Sequence, residues 1–156
     1  MNLGDAEGGR QKRGETDGDM DGSTIDDKAT VRLRADLPFA DHLGFEVLEV
    51  SQERVRMRAR WDTRYCTSAG VLHGGFLMAL ADTAGAMAAV QHLPEGAATT
   101  TIESKTNFLR AVREGDVIAT AEPLHAGRTS IVVTTDIRDA GGKLVSRTTQ
   151  TQLVIR

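Results

Sequence analysis

His73-Gly74-Gly75 and Asp82 are the residues of this chain whose types and spacing suggest chemistry. They stand at the head and in the middle of an apolar run, Phe76 to Val90, in which Asp82 is the sole charge. A helix start leaves backbone N–H groups unpaired and carries the positive end of the helix dipole. The Gly74 and Gly75 amides are therefore apt donors to a developing oxyanion, and the absent side chains let a carbonyl come close. His73, just ahead of them, reads as an orienting hydrogen-bond partner rather than a base. Asp82 has two readings. It is a structural carboxylate bonded to strand hydroxyls, or a functional one serving as general base or nucleophile; the cost of burying an unpaired carboxylate favours the second.

The spacing then decides something. Gly74 and Asp82 are eight residues apart, which on a helix is about 12 Å of rise and a turn of roughly 80°. They cannot both touch one carbonyl. Either one of them is irrelevant, or a second copy of the helix lies antiparallel and brings its Asp82 to the first copy's Gly74. The second option predicts a homodimer with two shared sites, with pairing into a dimer of dimers also open.

The elements that must hold these residues follow from periodicity. The Ala-, Leu- and Met-rich run predicts a helix from Gly74 to Val90, apolar on all sides and so buried on all sides, with small residues marking a close packing partner. A membrane span is the other reading of this run; its shortness and its mid-run Asp82 argue against it. Leu37 to Gly44 predicts a short helical turn with Pro38 at its first position, and Phe45 to Ser51 a strand. Arg54 to Trp61 alternates strictly, with Arg54, Arg56, Arg58 and Arg60 on one face: a solvated outer face, or a surface for an acidic partner or another subunit. Four strands follow, Ala98 to Leu109, Asp116 to Leu124, Ser130 to Arg138 and Leu144 to Ile155, the last two joined at Gly141-Gly142. Two strands, a central helix and four more strands predict an α+β fold, an antiparallel sheet curled around that helix.

The 156 residues suit one domain, and a net charge of −3 gives no nucleic-acid footprint. Cys66 stands alone and forms no internal disulfide. The first residues show no apolar signal core, so a cytoplasmic protein is the expectation. Residues 1–28, with six glycines and few apolar side chains, read as a disordered tail ahead of a domain at 29–156. Within that tail, Asp17-Gly18-Asp19-Met20-Asp21-Gly22 copies half of a calcium loop, but the position that needs a bidentate Glu is Lys28.

The series Gly70-x-x-His73-Gly74-Gly75, then Asp82-Thr83, then Thr101 and Asn107-Phe108-Leu109-Arg110, with the later Gly127-Arg128-Thr129, resembles the hotdog-fold acyl-CoA thioesterases of the phenylacetate-degradation (PaaI-like) type. The likeness runs from about Leu37 to Arg156. It implies hydrolysis of an acyl-CoA thioester at sites shared across a two-fold axis. Gly74 would polarise the carbonyl, Asp82 would supply the base or nucleophile, and Thr101 would hold water. The acyl chain would run along Phe76, Leu80, Met87 and Phe108, with Asn107, Arg110 and Arg128 as further contacts. Six residues before the histidine, where many relatives carry an amide, this chain has Thr67, a hydroxyl of shorter reach. CoA would be the substrate's handle, with no other cofactor, no metal, no nucleic acid and no membrane partner. A non-catalytic acyl-CoA-binding or sensing protein is the alternative; a hydratase of the same fold is a third reading, disfavoured because no Asp/His pairing for proton abstraction is evident.

Overall fold

The computed structural model describes residues 24–156. Its elements are α1 (Asp27–Asp36), α2 (Pro38–His42), β1 (Glu46–Val50), β2 (Val55–Ala59), a 3-10 turn (Thr63–Tyr65), α3 (Gly74–Val90), β3 (Ala98–Phe108), β4 (Val117–Ala126), β5 (Ser130–Asp139) and β6 (Leu144–Ile155). The strands form one antiparallel sheet in the order β1-β2-β4-β5-β6-β3. Helix α3 packs across β2 to β6. This is the hotdog fold, the sheet wrapped around a central helix.

The half of the sheet built from β1, β2, β4 and β5 gives the core its apolar character. Val47, Val55, Met57, Val117, Ala119 and Ile131 are fully buried there, against Leu80, Ala81 and Ala84 of α3. Small residues on both sides let helix and sheet approach closely. The β6–β3 half is different. Beside Val145, the buried positions of β6 are the polar Ser146, Thr148, Gln150 and Gln152, and the partners of these four on β3 are Phe108, Thr106, Ser104 and Thr101. A bulge between Thr101 and Glu103 inserts Ile102 and resets the alternation, so that Thr101 and Ser104 share the inner face despite their odd spacing.

Arg56 and Arg58 of β2 and the flanking Arg54 and Arg60 lie on the outer face. Arg54 pairs with Glu49 at 2.9 Å, Arg58 with Glu46 at 2.8 Å, and Arg60 with Glu46 at 3.4 Å. Cross-strand pairs of opposite charge suit two neighbouring solvated strands.

Helix α1 lies ahead of Leu37, where the first element was expected from sequence. Asp26 caps it by accepting from the Ala29 N–H at 2.9 Å, and the Asp26 N–H donates to the Val47 carbonyl at 2.8 Å. Thr24 to Lys28, assigned to the tail by composition, are thus described residues tied to β1. The helix buries only Thr30 and Leu33, too little for an apolar stripe to announce it. The calcium-like segment at residues 17–22 lies outside the described residues.

Candidate active site

Helix α3 begins where the chain leaves a turn closed by Thr67. The Thr67 N–H donates to the Val71 carbonyl at 2.8 Å, and the Thr67 hydroxyl accepts from the Ala69 N–H at 3.3 Å. That hydroxyl therefore serves its own turn. His73 is the N-cap of α3: its Nδ1 accepts from the Gly75 N–H at 2.9 Å, so in the neutral ring the proton sits on Nε2. The Gly75 amide expected to stabilise an oxyanion is consequently taken. The Gly74 N–H has no partner among the described residues, which leaves it as the donor at this helix end. The ring of Phe108 lies beside Gly74, and a Cβ there would meet it at 3.0 Å.

One turn beyond the middle of the glycine-to-aspartate span, Asp82 meets the polar half of the sheet. Its Oδ1 accepts from the Thr101 hydroxyl at 3.1 Å and from Gln150 Nε2 at 3.3 Å. Thr101 and Asp82, paired in the sequence reading, are brought together. Gln150 was not foreseen. Its side chain is fully buried and lies flat over Gly85, where a Cβ would come within 2.3 Å of Oε1. Here is the close packing partner that the small residues of the helix announce.

An open cleft of about 290 Å³ flanks the start of α3, lined by Phe39, Leu43, Tyr65, His73, Gly75 and Phe76 among others. Phe76 is nearly buried, stacked on Tyr65 at 4.6 Å between centroids and edge-on to Phe45 at 5.6 Å. At the rim, Arg64 forks onto Asp62 at 2.8 and 3.1 Å and lies over the Tyr65 ring. The Arg64 hydrogen bond holds the Asp62 carboxyl below the usual carboxylate range. Of the acyl-lining residues expected from sequence, Phe76 reaches this cleft; Leu80 is wholly core, with no exposed surface, and Met87 is partly buried against that core. Phe39, Leu43 and Tyr65 were missed, because only the tertiary fold brings α2 and the 3-10 turn to the helix.

Three expected contacts lie elsewhere in a single chain. Asn107 faces outward on β3, accepting from Lys105 Nζ at 2.5 Å and paired across the strand with Arg147. Arg110 follows the C-terminal end of β3, while Arg128 sits in the β4–β5 turn, where its carbonyl accepts from Arg156 at 3.4 Å. That turn adjoins Leu153, which pairs with Thr100 near the other end of β3. The two arginines therefore flank opposite ends of the same strand.

The Thioesterase superfamily model matches residues 69–146. The chain is 39% identical over 110 residues to a Haemophilus influenzae protein provisionally named an esterase, covering 69% of this chain and 80% of that one. It is 36% identical over 90 residues to the proofreading thioesterase EntH of Cronobacter turicensis, covering 58% and 66%. A crystal structure of the thioesterase HI1161 from Haemophilus influenzae superposes with a TM-score of 0.75 at 34% identity, covering 80% of this chain and 87% of that one. The family match and these relatives place the chain among the thioester hydrolases. The chain belongs to the thioesterase superfamily.

Proposed function

We propose that the protein is an acyl-CoA thioesterase of PaaI-like type, converting acyl-S-CoA and water into a carboxylic acid and CoA, at sites shared between two protomers. The observation that carries this reading is the open stripe of α3. Gly75 and Met78 on it are exposed, Asp82 and Ala86 half-exposed, and Val90 exposed, although the helix carries no charge apart from Asp82. Met78 and Val90 expose 38% and 50% of their surface, whereas the sequence predicted a helix buried on every side. A second α3 laid antiparallel with Asp82 of one protomer opposite Gly74 of the other would cover the Gly75 to Asp82 part of this stripe. Strand β3 supports the same arrangement: it is an 11-residue edge strand with Ile102 exposed, a poor surface to leave unpaired. An antiparallel copy would also bring Arg110 of one chain toward Arg128 of the other, cations suited to CoA phosphates at the rim.

In this reading the Gly74 amide polarises the thioester carbonyl. Asp82 either takes a proton from the attacking water or attacks the carbonyl itself to give an anhydride that water then opens; both routes release CoA as the thiol. Two such dimers can pair further, and the cytoplasm is the proposed compartment. Among the described residues no helix is long and apolar enough to cross a membrane.

The test is hydrolysis of a panel of acyl-CoA thioesters, short and medium aliphatic and aryl, by wild type and Asp82→Asn. At least one acyl-CoA should be turned over, and the variant should lose about a hundredfold or more of that turnover while keeping its fold. Variant activity within a few-fold of wild type would make Asp82 structural.

A further inference from the structure

The polar half of the sheet is unusual for a protein interior, and its bonds run in one direction. The Thr99 hydroxyl shares its one hydrogen between Gln152 Oε1 at 3.1 Å and the Leu153 carbonyl at 3.0 Å, Gln152 Nε2 lies 2.7 Å from the Thr101 hydroxyl, and that hydroxyl lies 3.1 Å from Asp82 Oδ1. Gln150 Nε2 reaches the same oxygen at 3.3 Å and the Asp82 backbone carbonyl at 3.4 Å. Both glutamines are fully buried, or within 1% of it, and central β6 holds them with β5 on one side and β3 on the other.

The direction is forced by chemistry. An ionised carboxylate only accepts, so the single hydrogen of Thr101 must point at Asp82. The atom of Gln152 nearest Thr101 must then donate, which makes it the amide nitrogen and turns Oε1 toward Thr99. Gln152 thereby fixes which way the Thr101 hydroxyl points. With Thr101 and Gln150 both donating to Oδ1, that oxygen is occupied. Oδ2 has no partner among the described residues.

We propose that Gln150 and Gln152 are positioning residues for the hydrolytic reaction: Gln150 directly, and Gln152 through Thr101, they saturate Asp82 Oδ1 and leave Oδ2 as the oxygen that meets water or the thioester. The inference rests on the assignment of Asp82 as base or nucleophile. Gln150 is the more constrained of the two. Its Oε1 is buried without a partner, a cost retained while its nitrogen serves Asp82.

The test uses the full-length protein and whichever of hexanoyl-CoA, benzoyl-CoA or phenylacetyl-CoA it hydrolyses fastest, read as release of the CoA thiol per folded molecule. Gln152→Met keeps the volume but removes the donor; kcat should fall about tenfold with KM within about twofold. Thr101→Val should fall at least as far, and Thr101→Ser should recover most of the rate. Because Gln152 acts through Thr101, Thr101→Val with Gln152→Met should be no slower than Thr101→Val alone. Gln150→Met, acting on Asp82 directly, should slow the Thr101→Val enzyme further.

If Gln152→Met does not fold, Thr99→Val serves instead. It unties Gln152 from the far side and should cost about threefold in kcat, an effect that vanishes when Thr101 is already Val. Full activity in a folded Gln152→Met or Thr99→Val protein, or losses that simply multiply with Thr101→Val, would overturn the proposal. Asp82→Asn run alongside separates the two levels. An active Asp82→Asn protein removes the assignment of Asp82 and this inference with it; an inactive one beside a fully active Gln152→Met removes the inference alone.

Discussion

The ring of Phe108 rests on Gly74, so close that a Cβ at position 74 would lie 3.0 Å from its tip. The end of β3 and the start of α3 are thus in contact within one protomer, while Asp82 is bonded further along the same strand at Thr101. Phe108 is 51% exposed and free to swing, so a side chain at position 74 displaces it without breaking the core. Gly74→Val should therefore fold yet lose most turnover, because the new side chain screens the amide. Mixed with Asp82→Asn after partial unfolding, it should regain up to about a quarter of wild-type activity. Half of randomly paired dimers are mixed, and half of their sites are intact. Verified heterodimers as inactive as both parents would show that Gly74 and Asp82 do not meet across an interface.

A second prediction concerns Gly85. Alanine is the better helix former by roughly 0.5–1 kcal/mol, so an exposed site would gain from the change. Here the methyl would enter the Gln150 carboxamide, which has no room to retreat. Gly85→Ala should lower the melting temperature by several degrees, about 1–3 kcal/mol of overpacking outweighing the helix gain. Turnover should fall as well, since Gln150 would leave Asp82. A variant as stable and active as wild type would mean that the carboxamide moves freely.

Asp136 gives a prediction in pH. Hydrogen bonds from Arg147 at 2.6 and 2.7 Å hold its carboxyl below the usual carboxylate range; partial burial opposes this, and Arg138 assists. A depressed folded value means that stabilisation is complete above the unfolded value, roughly pH 3.9, and is lost as the pH falls through the folded one. Asp136→Asn should melt below wild type at neutral pH, and the gap should close as the pH is taken well below that unfolded value. Melting curves across that range decide it; an undiminished gap in acid would assign the loss to packing.

The start of α1 gives another. Deletion of residues 1–23 leaves the Asp26 cap and should leave melting unchanged. Deletion through Lys28 removes both that cap and the Asp26 bond to Val47, and should cost about 1 kcal/mol or more. Equal melting temperatures for the two truncations would show that the α1 start contributes nothing.

Much of this architecture is legible in the residues themselves. Alternation marks β2 and β4, a β-branched run marks β5, and the apolar run from Phe76 to Val90 marks α3, because burial leaves a pattern in the sequence. Asp82 stands out as the single charge in that run, while Thr101 is marked only by the family likeness. Helix α1 does not stand out: with Thr30 and Leu33 alone buried, it carries almost no period. Gln150 and Gln152 are hidden by the opposite problem. Polar residues on alternate positions of a strand read as its solvent face, yet in β6 they point inward, since the partner surface is itself polar. The one sign was that Thr148-Thr149-Gln150-Thr151-Gln152 has no apolar face at all, although β6 lies inside the sheet. The cleft residues Phe39 and Tyr65 meet only through long-range folding, which no local pattern records.

The fit of Gln150 over Gly85 also sets where α3 stops along its own axis. A helix faced with alanines could slide against a sheet with little change in burial, since the buried Ala81, Ala84 and Ala88 offer nearly the same surface. A slip of one residue would carry Asp82 by about 1.5 Å and swing it by about 100°, away from Thr101. After Gly74 and Gly75 at its head, position 85 is the only one in α3 that lacks the methyl that would collide with the carboxamide. The missing side chain thus works as an index mark: it locks the helix in one register, and the carboxylate three residues earlier inherits its address from that lock.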